Sequence, residues 1–229
     1  MIKLGHRGYS AKYPENTMEA FVKAYDIGFD GIETDVQMSK DGELVLIHDE
    51  KINRTSNGKG FVRDYTLKEL KQFNFAYKEK GLYPIPTLKE LLTFIKGKEF
   101  LVNLEIKTDK IQYPDIEKKV VDMVKQLDVN QQVFYSSFCL ESVIKLKQID
   151  PKAYVGYLIE NQYNSKRKLL KQYHITAFHP KYSYLNQIRV QDLKKDQIKI
   201  AVWTVPNLKE YERLKELGVD IIISNEYFK

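Results

Sequence analysis

Short apolar, β-branched runs alternate with amphipathic stretches along the whole of the 229-residue chain. Eight runs read as strands, at residues 2–5, 31–36, 100–106, 132–136, 153–158, 175–178, 198–204 and 220–223. Helices are predicted between them at 17–27, 114–127, 140–148, 165–173, 187–196 and 207–217. In the last of these, Leu208, Tyr211, Leu214 and Leu217 follow the three-to-four spacing of a half-buried helix. Asn207 stands where an N-cap belongs and Gly218 where the helix should stop. Regular βα alternation implies a parallel sheet covered by helices. Eight units imply closure, so the expected class is α/β, a (β/α)8 TIM barrel. No Gly-x-Gly-x-x-Gly follows the first strand, which speaks against an open dinucleotide-binding sheet.

One region breaks the rhythm. After strand two, residues 43–47 continue as a short strand, 53–60 are polar, and a small helix is predicted at 66–73. The outer helix owed to this unit arrives only at 87–95, after Pro84 and Pro86. Residues 50–83 therefore read as a small insertion on one βα loop, within a single barrel domain spanning 1–229. No Pro/Gly/Ser-rich linker divides the chain.

Composition narrows the setting. The lone cysteine, Cys139, excludes an intramolecular disulfide and any multi-thiolate metal site. The N-terminus lacks a basic stretch followed by a long apolar one, and no apolar run reaches the ~18 residues of a membrane span. A cytoplasmic protein without stable membrane insertion is expected. The net charge of +6 fits a set of solvated, lysine-rich helices better than it fits attraction of an anionic substrate or lipid surface. The lysines form no basic stripe, so no nucleic-acid partner is expected.

In such a barrel the chemistry sits at the C-terminal ends of the strands, and unusual polar residues fall there. Glu33 and Asp35 are two apart on strand two, so their side chains share one face, as do those of Glu105 and Lys107 on strand three. If Ile32, Val36, Leu104 and Ile106 face the helices, Glu33, Asp35 and Glu105 face the barrel mouth. Three anions in low dielectric repel one another. A hard divalent cation resolves this; ion pairs to Arg7 or Lys107 are the structural alternative. His6 ends strand one and His48 ends the extension of strand two. An imidazole there suits general acid/base work near neutrality, or is a satisfied core residue. His179, before Pro180, is a pocket-lining candidate, and His174 a helix-end residue. Arg7 and Lys107 fit phosphate oxygens as readily as they fit salt bridges. Phe138 and Trp203 are aromatic residues at strand ends, suited to shielding a substrate's carbons or to core packing. Asn16 or Thr17 is a cap for the first helix, with Glu15 bracing its loop.

Taken in order, these groups resemble the glycerophosphodiester phosphodiesterase family over essentially the whole chain. The resemblance runs through Gly5-His6-Arg7-Gly8, Pro14-Glu15-Asn16-Thr17, Glu33-Thr34-Asp35-Val36, Asp41-Gly42 and His48-Asp49. It continues through Arg54-Thr55, Ile85-Pro86-Thr87-Leu88, Glu105-Ile106-Lys107, Ser137-Phe138 and Val202-Trp203-Thr204. The resemblance implies a (β/α)8 barrel with an insertion after strand two. It also implies one divalent ion, Mg2+ or Ca2+, on Glu33, Asp35 and Glu105. His6 and His48 become the acid/base pair, and Arg7 and Lys107 hold the phosphate. The implied reaction is metal-dependent hydrolysis of a glycerophosphodiester to sn-glycerol 3-phosphate and an alcohol. One departure stands near the C-terminus, where Ser224-Asn225-Glu226 replaces a Thr-Asp-x-Pro pattern; these positions are expected to lie away from the ligands. The competing readings are a phospholipase D-like enzyme acting on lysophospholipids, a phosphoinositide-type phospholipase C, and a non-catalytic barrel that binds anions. The last should lack a histidine or an acid of the set, and none is missing.

Overall fold

Strands buried on both faces need near-continuous aliphatic runs, and the computed structural model, which describes residues 1–76 and 81–228, forms them where those runs lie. In chain order the elements are β1 (Ile2–His6), α1 (Met18–Ile27), β2 (Gly31–Met38), β3 (Leu44–Leu46), α2 (Leu67–Leu70) and α3 (Leu88–Ile95). Next come β4 (Leu101–Ile106), α4 (Ile116–Gln126), β5 (Val133–Ser137), α5 (Leu140–Ile149), β6 (Val155–Ile159) and α6 (Tyr163–Gln172). The chain ends with β7 (Ala177–Pro180), α7 (Gln187–Lys195), β8 (Lys199–Val205), α8 (Leu208–Leu217) and β9 (Ile221–Ser224).

Leu4 of β1 pairs in parallel with Gly31 of β2 on one side and with Ile223 of β9 on the other. The ring therefore closes in the order β1-β2-β4-β5-β6-β7-β8-β9. Strand β3 lies outside it, antiparallel on the far end of β2 through Val36↔Leu46 and Met38↔Leu44. This is the expected (β/α)8 barrel. Two strands, β6 and β7, start two residues later than their hydrophobic runs suggest, β7 because the chain is still closing α6. Ile175 gives its N–H to Leu170 O and so finishes α6, and pairing begins only at Gly156↔Ala177. His174, with φ of 53°, is the left-handed residue that turns the chain out of α6, a helix-end role as expected.

The departure after β2 builds its own small core from Val45, Ile47, Ile52, Val62, Leu70, Phe75 and Ile85. The bridge Lys51↔Phe61 closes the segment on itself, and Val45↔Thr87 ties β3 to the start of α3. It covers most of the predicted insertion; positions 77–80 of that segment lie outside the described residues. Thr87 then opens α3 with a reciprocal capping box to Glu90. Leu88, Leu91, Leu92 and Ile95 of α3 are fully buried, each worth about 1.5–3 kcal/mol relative to exposure.

Two apolar layers hold the barrel. The larger lies between strands and helices and includes Phe21, Ile32, Val36, Leu104, Ile106 and Phe178. The smaller, Leu4, Phe134, Ala201, Ile221 and Ile223, plugs the barrel interior toward the N-terminal ends of the strands. No helix among the described residues is long and apolar enough to cross a membrane.

Candidate active site

Strand alternation turns Ile32 and Val36 toward the helices and Glu33 and Asp35 inward. Asp35 and Glu105 are register partners on β2 and β4. Glu33, Asp35 and Glu105 are all buried, and each brings a carboxylate oxygen within 4.8 Å of the other two. Burial, together with Asp35 and Glu105, raises the Glu33 pKa well above the ordinary glutamate value. Burial lifts Glu105 as well, with Lys107 opposing and Asp35 adding to the rise. Burial pushes Asp35 the same way, but Lys107, Arg7, His48 and Asn16 outweigh it and hold Asp35 below its ordinary value. The cluster thus carries more negative charge than its setting tolerates. Asp35 Oδ1 is fully buried and accepts no hydrogen bond among the described residues. An all-oxygen donor set with a bare inward lone pair fits a hard divalent cation.

Two cations interleave with the acids. Arg7 follows β1 with φ of 55° and Gly8 with φ of 83°. A Cβ on Gly8 would come within 2.8 Å of the Ala20 backbone on α1, so only glycine permits this turn. The turn aims the Arg7 N–H at Glu33 Oε2, 3.2 Å away. The Arg7 guanidinium reaches Glu15 at 2.8 Å and Asp35 at 3.6 Å. Lys107 Nζ lies 2.9 Å from Glu105 and 3.9 Å from Asp35. Burial disfavours its charge, but Glu105 and Asp35 outweigh that and keep the Lys107 pKa above the ordinary lysine value. The salt-bridge alternative for both cations is therefore realised, on the same acids that could hold a metal.

The two histidines stand on either side of this cluster. His6 Nδ1 is 2.7 Å from Asn225 Oδ1, and its Nε2 is 3.9 Å from Glu33. Burial, then Arg7, lowers the His6 pKa to about 4. His48 Nδ1 is 2.6 Å from Asp49 Oδ1. Asp49 is gripped by Arg54 at 2.7 Å, and Arg54 also reaches Glu15 at 2.7 Å. Burial works against the Asp49 charge, but Arg54 and His48 hold it ionised well below the ordinary carboxylate range. Thr17 caps α1, and Glu15 braces the first loop, as expected. Asn16, at φ of 54°, does something else. Its amide donates to Asp35 at 3.0 Å and accepts from Thr34 at 2.7 Å, locking the acid-bearing strand to that loop.

Two expectations are corrected. The segment at Asn225 is not remote from the site, because closure of β1 against β9 brings Asn225 onto the His6 ring. His179 does not line the mouth. It is fully buried inside the barrel, with Nε2 3.1 Å from Tyr154 Oη, and its carbonyl accepts from Trp203 Nε1 at 2.7 Å. Phe138 and Trp203 meet edge to face, with centroids 5.3 Å apart. Both are half-buried and, with His6, Arg7, His48, Glu105 and Lys107, line a cavity of about 430 Å³ at the C-terminal end of the barrel. A larger cavity of about 780 Å³ opens at the other end, beside Ile2, Phe134, Tyr154 and Ile221, and contains none of these groups.

The chain matches the model of the glycerophosphoryl diester phosphodiesterase family over residues 6–227. It is 38% identical over 228 residues to a glycerophosphodiester phosphodiesterase of Caldanaerobacter subterraneus, covering 98% of this chain and 94% of that one. Among solved structures it superposes on an Oleispira antarctica phosphodiesterase in complex with the product sn-glycerol-3-phosphate. That match has a TM-score of 0.86 at 26% identity and covers 98% of this chain and 93% of the other. A glycerophosphodiester phosphodiesterase of Thermotoga maritima gives a TM-score of 0.79 at 31% identity, covering 99% and 95%.

Proposed function

The chain belongs to the glycerophosphoryl diester phosphodiesterase family, and from that premise we propose a divalent-metal-dependent hydrolysis of glycerophosphodiesters to sn-glycerol 3-phosphate and an alcohol. It is an enzyme, a phosphoric diester hydrolase. The observation that carries the finer reading is the convergence of the Glu33, Asp35 and Glu105 oxygens within 4.8 Å, with Glu105 lining the same cavity as His6 and His48. We read residues 1–229 as one barrel unit, with 50–83 as a small insertion on one βα loop.

Glu33, Asp35 and Glu105 would hold one Mg2+ or Ca2+, since both favour oxygen donors. The bound ion supplies Lewis acidity, offsetting charge that builds on the phosphoryl oxygens. Arg7 and Lys107, already aimed over the acids, take the remaining phosphate oxygens, Arg7 by its planar fork and Lys107 as a point charge. The carboxylate of Asp49 accepts the Nδ1 proton of His48, and the amide oxygen of Asn225 accepts that of His6. Each ring therefore presents Nε2 for proton exchange. One imidazole takes a proton from the attacking oxygen and the other returns one to the departing alcohol, so that water is added across the P–O bond. Phe138 and Trp203 offer apolar surface to the carbon atoms of the substrate.

The test is turnover of glycerophosphocholine by wild-type and His48→Ala protein after chelation, with Mg2+ or Ca2+ added back. Wild-type activity should vanish on chelation and return with at least one ion. His48→Ala should stay about 100- to 10,000-fold lower with either ion. Full activity of the stripped enzyme would refute the metal role, and a His48→Ala rate equal to wild type would refute the acid/base role.

A further inference from the structure

Three polar side chains inside the barrel are left without the partners their burial demands. Asn103, Ser136 and His179 are each fully buried. Both amide atoms of Asn103, the hydroxyl of Ser136 and Nδ1 of His179 make no hydrogen bond among the described residues. Buried polar groups in folded proteins are paired with protein or with bound water in the great majority of cases. Four such bare atoms inside the barrel call for partners.

Strand register places two of these side chains beside the acids. Asn103 precedes Glu105 by two residues on β4, so the two side chains share the inner face. Asn103 is also the register partner of Glu33 on β2, and Ser136 on β5 is the register partner of Glu105. The bare amide and hydroxyl thus lie beside two of the three acids. The row continues to Gly156, the register partner of Ser136. A Cβ there would sit 2.2 Å from His179 Nε2, so the missing side chain is what admits the imidazole. Beneath lies the apolar plug of Leu4, Phe134 and Ile223. An amide offers two donors and one acceptor oxygen, a hydroxyl one donor and two lone pairs. Carboxylates accept only. Water can join all of them, receiving from Asn103 or Ser136 and donating onward to an acid.

We propose that Asn103 and Ser136 hold buried water against Glu33 and Glu105 and thereby act as positioning residues for the acid cluster. Neither side chain touches the substrate. Their effect is to fix the carboxylate rotamers before an ion arrives, as outer partners of metal ligands do. The inference rests on the reading of the acids as metal ligands. Asn103→Leu keeps the shape of the side chain and deletes its hydrogen bonds, and Ser136→Ala deletes a single hydroxyl.

The experiment is calorimetric titration of metal-stripped protein with Ca2+ and with Mg2+, alongside thermal unfolding of the same metal-free samples. Val102→Ala, a packing change on the outer face of β4, is the control. Asn103→Leu should weaken ion binding about 10- to 100-fold, with Tm of the metal-free protein little changed because an apolar side chain of similar shape replaces a water-satisfied amide. Val102→Ala should lower Tm and leave the dissociation constant alone. If Asn103→Leu does not fold, Ser136→Ala carries the same test. An unchanged dissociation constant in a folded Asn103 or Ser136 variant overturns the proposal, whatever happens to Tm. Absence of ion binding in the wild-type protein would overturn the metal reading itself, and this inference with it.

Discussion

Asn225 orients His6 through one 2.7 Å hydrogen bond, and it is a neutral amide where the resemblance leads one to expect a carboxylate. Asn225→Asp should therefore favour the protonated imidazole and move the limb of the pH–rate profile governed by His6 to higher pH. Asn225→Ala, which frees the ring, should cost about 10- to 100-fold in turnover without moving that limb upward. A profile for Asn225→Asp that superposes on wild type would show that the contact does not bear on the reaction. The contact also marks how far single residues can be read. Glu33 with Asp35, and Glu105 with Lys107, were legible because strand alternation alone fixes which side chains share a face. The capping and bracing roles of Thr17 and Glu15 were legible from local spacing. Asn225 lies 219 positions from His6, and only ring closure joins them, so no local pattern could announce the pair. Asn16 was readable as a loop residue but not as a partner of Asp35, since its left-handed backbone is what swings the amide inward.

At the scale of elements, β-branched runs and three-to-four spacing predicted each barrel strand and each outer helix, because burial demands those patterns. The shift at β7 has a different origin. Ile175 is as apolar as a strand residue, but its N–H is already committed to closing α6, and hydrophobicity does not record where a hydrogen bond goes. Helix α3 shows the opposite case, a start fixed by local chemistry. Thr87 Oγ1 accepts from the Glu90 N–H at 3.2 Å while Glu90 accepts from the Thr87 N–H at 2.7 Å. Thr87→Ala should cost about 0.5–2 kcal/mol of stability, read as a lower urea midpoint at unchanged m-value. An unaltered midpoint would mean that packing of Leu88, Leu91, Leu92 and Ile95 alone sets where α3 begins.

For the whole molecule, the division of the barrel interior into an apolar plug and a polar upper half links stability to pH. Burial presses the His179 pKa from the ordinary 6.5 down to about 3. Between those values the unfolded chain binds a proton at this position and the folded chain does not. Folding stability contributed here is therefore intact above pH 6.5 and falls as pH drops toward 3. The slope is about 1.4 kcal/mol per pH unit for one such group. Urea unfolding of wild type and His179→Gln at several pH values should show the two stabilities converging as the solution is acidified, and parallel curves would contradict this. At the mouth, the same scale exposes an asymmetry. Arg54 joins Asp49 to Glu15, and Glu15 joins Arg7, so four charges tie three separate stretches of backbone into a rigid jaw. The facing jaw, Phe138 and Trp203, is apolar, joined by an edge-to-face ring contact and fixed at Trp203 by the indole N–H donating to His179 O, beside open space. On the proposed reading of the site, leaving alcohols of different bulk would lie against the apolar side. A change in head-group preference would arise by altering Phe138, Trp203 or their neighbours Glu160 and Lys166, while the charged jaw stays as it is.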